Sequence, residues 1–314
     1  MNVKHRKISM KLNLLLEKHP LILTEAAIVE ALSHTCPALL HPALFNAPMV
    51  ETEKGRQALK TLYLSFLEVA REFHLPFVIT TPTWRADQER LVRAGASMDL
   101  NEKAVAFLRE IRDEADGETA VSLGGILGCK NDCYRPDLAL APEPAREFHA
   151  WQARRLAAAQ ADFLMAVTLP AVDEALGMAM AMADTGLPYI ISFVINRNGE
   201  VLDRTPLARA VDILDNALPC PPLGYMVNCA HPTFLNADTQ PKGLFSRLIG
   251  FQANGSSLDH DQLDRAPEPR ISDIREWAEQ MIRLNRVFGV KILGGCCGTR
   301  TDHLACIARG ISRS

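Results

Sequence analysis

Eight cysteines stand at positions 36, 129, 133, 220, 229, 296, 297 and 306, and three of them close short apolar runs. Cys229 ends Gly224-Tyr225-Met226-Val227-Asn228-Cys229, while Cys296-Cys297 follow Ile292-Leu293-Gly294-Gly295 with Gly298 behind. If the two runs are parallel strands of one sheet, their ends share a rim although they lie far apart in the chain. Three thiolates can then meet one tetrahedral Zn²⁺ at about 2.3 Å each and leave its fourth position open to a substrate. Gly294, Gly295 and Gly298 would let the backbone turn sharply enough for two successive cysteines to face one ion. Two other readings fit the same residues. They could be buried thiols beside a tight turn, or Cys296 and Cys297 could act as a redox dithiol that needs no metal.

The elements that would position these cysteines are visible as near-continuous hydrophobic runs over residues 21–24, 77–81, 120–127, 163–168, 189–195, 225–229, 248–253 and 290–294. Such runs, without polar alternation, are the pattern of parallel strands buried on both faces. Helical patterns lie between them. Leu59, Leu62, Phe66, Ala70 and Phe73 recur at spacings of three and four. Ile274, Trp277, Met281, Leu284 and Phe288 do the same, with Ser272-Asp273 as a start signal and Gly289 as a stop. Residues 156–161 and 172–182 give two less regular patterns. Eight strands with intervening helices and no linker predict one α/β domain, a (β/α)8 TIM barrel over residues 1–314 with 1–20 as an N-terminal extension. A doubly wound open sheet is the alternative, but no dinucleotide-type glycine fingerprint follows the first strand. Residues 236–243 and 260–270 read as long loops after strands six and seven, on the rim where a barrel carries its catalytic groups.

Composition removes several function classes. Hydrophobic residues make up 48% of the 314 and charged residues 23%, which excludes a disordered chain. The net charge of −3 provides no basic field for a phosphate backbone, so no nucleic-acid partner is expected. No uninterrupted apolar run of about 18 residues occurs, so no membrane partner is expected either. Lys11, Glu17 and Lys18 interrupt the segment after the basic start, which therefore reads as no secretory signal. The chain is expected in the cytoplasm, where thiols stay reduced and clustered cysteines point to metal or catalysis sooner than to disulfides. Its oligomeric state is open.

Val227-Asn228-Cys229 together with Gly294-Gly295-Cys296-Cys297-Gly298-Thr299 and Asp302-His303 resembles the zinc site of the homocysteine S-methyltransferase family. The resemblance runs from about residue 21 to 311. It takes in Thr80-Thr81-Pro82-Thr83-Trp84-Arg85-Ala86, Tyr189-Ile190-Ile191-Ser192-Phe193, residues 199–210 and Phe251-Gln252-Ala253-Asn254-Gly255. It implies a Zn²⁺ cofactor on Cys229, Cys296 and Cys297. It also implies two small-molecule partners, a thiol such as homocysteine and an onium methyl donor, with methionine as the product if homocysteine is the acceptor. Zn²⁺ favours a bound thiol's thiolate, and three anionic ligands leave that thiolate electron-rich. The remaining work of the protein is alignment and exclusion of water, so no general base is nominated. No cobalamin or folate module is recognised after the barrel, so the donor is expected to arrive as a free small molecule.

Two departures from the family pattern concern the substrate's amino group. Where the family has Asp-Gly-Gly after its first strand, this chain has Thr24-Glu25-Ala26, with Glu30 in the place of a later family Glu. Where it has Glu-Thr-Ile-Pro after strand four, this chain has Val167-Thr168-Leu169-Pro170. An unpaired buried ammonium costs several kcal/mol, so these changes weigh against homocysteine itself. Glu25, displaced by one residue, is the nearest replacement. The candidate substrate-binding residues are Thr24, Glu25, Thr81, Thr83, Asn228 and Asn254. Trp84 is expected to shield a donor or cover the rim. His231 is read as a support for the ligands or a polar loop residue, and His303 as a capping and packing residue. Cys129 and Cys133 are expected on a solvent-exposed loop. A zinc-binding barrel with lost or changed activity, taking a non-amino-acid thiol or acting as a binding protein, is the alternative function.

Overall fold

The computed structural model describes residues 11–115, 119–259 and 272–312. Eight parallel strands close into a barrel in chain order: β1 Ile22–Thr24, β2 Phe77–Thr80, β3 Val121–Gly128, β4 Phe163–Leu169, β5 Tyr189–Phe193, β6 Gly224–Ala230, β7 Leu248–Ala253 and β8 Ile292–Gly295. Pairing of Ile22 with Ile292 closes the ring between β1 and β8. Each predicted strand lies within about two residues of an observed one, because side chains on both faces of a parallel barrel strand are removed from water.

The strands divide their side chains between two cores. Ile22, Val78, Phe163, Met165, Ile190, Met226 and Ile292 fill the lumen. Leu23, Phe77, Ile79, Leu164, Ile191, Val227 and Leu293 join the layer shared with the surrounding helices. The N-terminal extension closes one end of the lumen. Leu12 and Leu15, on helix α1 (Leu12–Lys18), pack into the lumen cluster fully buried. Residues 1–10 of that extension, and the predicted loop 260–270, lie outside the described residues.

Two helices show how locally the sequence sets its boundaries. The helix Glu53–Glu72 starts at Thr52, whose hydroxyl accepts from Gly55 N, and buries Leu59, Phe66 and Ala70. The helix Ile274–Phe288 starts at Asp273, which accepts from the N–H of Arg275 and Glu276, and stops at Gly289 with φ +75°. Both follow the predicted periodicity.

Candidate active site

At the C-terminal strand ends, register shifts interrupt the ladder twice. Between β4 and β5 the pairing slips between Ala166 and Leu169, and between β6 and β7 it slips between Asn228 and Ala230. The residues inside these bulges, Thr168 (φ +61°) and Cys229 (φ +54°), adopt left-handed backbone. For non-glycine residues this costs of the order of 1–2 kcal/mol each. A bulge re-aims side chains at the end of a strand, and here both residues line a cavity of about 370 Å³ on the rim.

Asn228 ties the two bulges together. Its Oδ1 accepts from Thr168 N at 2.9 Å and from Ser192 Oγ at 2.7 Å, while its Nδ2 lies 3.0 Å from Thr168 Oγ1 and 3.2 Å from Cys229 Sγ. One buried amide thus fixes the ends of β4, β5 and β6 and aims an N–H at the first sulfur.

The three cysteines converge in the same cavity. Cys229 Sγ and Cys296 Sγ are 2.9 Å apart, and Cys297, the most exposed of the three, reaches both. Gly298 (φ +79°) makes the turn behind them, and its N–H donates to Glu30 Oε2. Gly294 and Gly295 serve differently from the expectation. Both belong to β8, and a Cβ would lie 2.5 Å from Thr24 Cγ2 at Gly294 and 2.0 Å from Thr299 Oγ1 at Gly295. They allow close approach, and Gly298 alone of the three makes the left-handed turn.

Crowding governs the protonation of these thiols. A hydrogen bond with Cys296 draws the Cys229 pKa down, but the Cys297 thiol and burial outweigh it and hold Cys229 well above the ordinary thiol value. Hydrogen bonds with Cys229 and Cys297, followed by burial, push Cys296 the same way. A divalent cation is what would let such a group ionise together, and an all-thiolate donor set suits zinc. Among the described residues, no three His, Cys, Asp or Glu side chains stand in a metal-holding arrangement. Sulfurs 2.3 Å from a tetrahedral zinc are about 3.8 Å apart, so the ion would have to part Cys229 and Cys296 by almost 1 Å. The residue types, their convergence and the open cavity beside them fit zinc.

Of the predicted substrate residues, Glu25, Thr81 and Asn228 line the cavity, whereas Thr24, Thr83 and Asn254 do not. Thr24 Oγ1 instead donates to Glu25 Oε2, Thr83 Oγ1 donates to Ile126 O, and Asn254 O accepts from Trp277 Nε1. Trp84 is on the cavity wall with the Arg85 guanidinium 4.2 Å above its ring. His231 Nδ1 accepts from Thr233 N and caps a short 3-10 helix, Pro232–Leu235, while burial and then Arg197 push its pKa down to about 4. His303 Nδ1 accepts from Arg300 N at 3.2 Å, the capping role expected.

The loop after β3 corrects its expectation. Cys129 and Cys133 are buried, and burial pushes their thiols up to about 11 and about 12. Cys133 and Tyr134 both line the cavity. Burial first, and then the sulfur cluster, pushes the Tyr134 phenol up. Neither residue was foreseen as part of the site. Their placement comes from Glu174, whose carboxylate accepts from Lys130 N, Leu140 N and His149 and holds the loop across the barrel mouth.

Glu25 carries a pH signature. Burial raises its carboxyl from 4.5 to about 7, against hydrogen bonds from Thr80 N, Thr80 Oγ1 and Thr24 Oγ1. With the folded value above the unfolded one, folding favours the protonated acid. That stability is complete below about pH 4.5 and is lost as the pH rises through about 7. The difference amounts to about 3 kcal/mol. Urea melts from about pH 5 to 8 should show wild type losing roughly this much relative to Glu25→Gln. Parallel curves for the two proteins would refute the assignment.

The model of the homocysteine S-methyltransferase family matches residues 15–311. The chain is 24% identical over 281 residues to an S-methylmethionine–homocysteine S-methyltransferase of Mus musculus, spanning 81% of this chain and 69% of that protein. It is 22% identical over 318 residues to a homocysteine S-methyltransferase of Bacillus subtilis, spanning 94% of this chain and 95% of the relative. Crystal structures of a homocysteine methyltransferase of Escherichia coli superpose with TM-scores of 0.74 in the oxidised form and 0.73 in the metallated form. Both are at 20% identity and cover 98% and 97% of this chain and 100% of theirs, a likeness that shows the shared barrel fold.

Proposed function

Because the chain belongs to the homocysteine S-methyltransferase family, a family of methyltransferase enzymes, we propose that it moves a methyl group from a small onium donor to the thiol of homocysteine or a related acceptor. In this reading Zn²⁺ is held by Cys229, Cys296 and Cys297. The observation that carries it is the meeting of these three sulfurs, from two strand ends, in one cavity large enough for small substrates. The metallated form of the Escherichia coli relative supports a metal in this fold.

Zinc, when bound, supplies the positive charge that stabilises a substrate sulfur as thiolate. The chain's own residues do the rest. Asn228 holds Cys229 in its left-handed geometry and directs an N–H to its sulfur. Tyr134, Trp84, Ile126 and Val167 wall the cavity and keep water from the reacting atoms. The acceptor's thiol proton leaves to solvent as the substrate binds. A sulfur lone pair then forms the new S–CH₃ bond while the donor's bond to that methyl breaks, and its electron pair stays on the now neutral donor. With homocysteine the product is methionine, which would place the enzyme in methionine biosynthesis.

This reading places the chain in a reducing compartment such as the cytoplasm, where clustered thiols stay available to a metal. Among the described residues no helix is long and apolar enough to cross a membrane. The reading is tested by supplying zinc-loaded protein with S-methylmethionine and a set of thiols including homocysteine. Methylated thiol should form, and formation should stop on chelation and resume with added zinc. Zinc binding without transfer to any thiol would favour a binding protein, and activity that survives chelation would favour the dithiol.

A further inference from the structure

The cavity offers an anion no cation. Among the described residues its lining holds two carboxylates, Glu25 and Glu30, and no Lys, Arg or His. A substrate that carries a carboxylate must therefore be received there by neutral N–H or O–H donors. Several of the polar groups on the lining are already engaged within the protein. Thr80 Oγ1 donates to Glu25, Ser33 Oγ to Glu30 O, and the Asn228 amide to Thr168 Oγ1 and Cys229 Sγ.

Asn46 is different. It follows Phe45, whose ring centre lies 5.4 Å from that of Trp84 on the cavity wall, and it precedes the 3-10 helix Ala47–Glu51. Asparagine in that place ordinarily turns its side chain back onto the first N–H groups of the helix. Here it makes no such bond, because Pro48 has no N–H to give and Met49 N already donates to Asn46 O at 3.2 Å. The side chain lines the cavity instead. It is only 4% exposed, and among the described residues its carboxamide has no hydrogen-bond partner. A buried amide left in that state is costly, and a ligand that supplies the missing acceptor relieves the cost. Gln252 also brings an amide to the lining, but it is half-buried. Resting on the thiol-methylation reading above, we propose that Asn46 receives the carboxylate of an amino-acid substrate, its Nδ2 donating to the carboxylate oxygens.

An acceptor such as homocysteine and a donor such as S-methylmethionine both carry that group, so the test has an arm for each. Homocysteine is paired with 3-amino-1-propanethiol, and S-methylmethionine with (3-aminopropyl)dimethylsulfonium, each counterpart lacking only the carboxylate. Dissociation constants of all four are measured by calorimetry on the zinc-loaded full chain, alongside methyl transfer. The Asn46 side chain holds no other group in place, so Asn46→Ala should match wild type by circular dichroism. It should weaken a carboxylate-bearing molecule about tenfold and its counterpart less than about twofold. In turnover the loss should appear in KM and not in kcat. Asn46→Asp, which sets a like charge against the carboxylate, should weaken the same molecule further. A selective loss in the homocysteine arm assigns Asn46 to the acceptor, and one in the S-methylmethionine arm assigns it to the donor. Equal losses within each pair, or no loss, overturn the inference and leave methyl transfer standing. A selective loss of binding in a protein whose wild type transfers no methyl group does the reverse. If none of the four molecules binds wild type, both are overturned.

Discussion

Replacing Cys297 by serine is expected to lower bound zinc from about one ion per chain to near none, with methyl transfer falling to background. Cys297 is the most exposed of the three sulfurs, so its loss opens no core cavity and the barrel should remain folded by circular dichroism. Cys229→Ser should release zinc in the same way. Its buried sulfur accepts an N–H from Asn228, so that variant also disturbs the tie between β4 and β6. Cys220, exposed and remote from the cavity lining, provides the control, and its serine variant should retain full zinc occupancy. Metal analysis that finds Cys297→Ser as zinc-replete as Cys220→Ser would remove the three-sulfur site from consideration.

The second large effect concerns Glu174, which is fully buried and lies outside the cavity lining. Burial works to raise its carboxyl, but His149 and the N–H groups of Lys130 and Leu140 outweigh burial and hold it below its usual range. The distances are 2.7 Å to Lys130 N, 3.3 Å to Leu140 N and 3.1 Å to His149 Nε2. Glu174→Ala strands all three groups in a dry environment, and His149 Nδ1 already lacks a partner. A loss of about 3–5 kcal/mol in urea unfolding is expected, the scale for leaving three buried polar groups without the carboxylate they share. Glu174→Gln keeps an acceptor and the shape, and should lose about half of that. Because Cys133 and Tyr134 sit on the segment being held, any active Glu174→Gln enzyme should show its deficit in KM for the thiol. A loss below about 1 kcal/mol in Glu174→Ala would show that the loop is held by other contacts.

Much of the barrel was legible because its code is repetitive. Continuous runs such as Phe163–Leu169 have no polar alternation for a physical reason, since one face meets the lumen and the other the helices. Asp273 and Gly289 bound their helix because one side chain can cap an N-terminus and one residue type accepts left-handed backbone cheaply. The vicinal Cys296-Cys297 pair was distinctive enough to mark the rim. Residues whose roles depend on distant partners were not legible in this way. Asn228 reads as a polar residue before a cysteine, and its tie to Thr168 and Ser192 exists only once β4, β5 and β6 are side by side. Glu174 looks like any first-turn carboxylate. Thr24, Thr83 and Asn254 lie near cavity-lining residues along the chain but outside the lining themselves. The direction of a side chain at a strand end depends on bulges that leave no mark in residue type.

The left-handed backbone at Cys229 implies an order of events during maturation. An isolated strand would relax to extended geometry there, so the segment alone presents no preformed ligand. The other two sulfurs arrive only when the last strand docks between β1 and β7. Metal uptake should therefore follow closure of the barrel instead of nucleating it, unlike a zinc finger, which collapses without its ion. The apoprotein should be a stable, refoldable species that can be emptied and refilled.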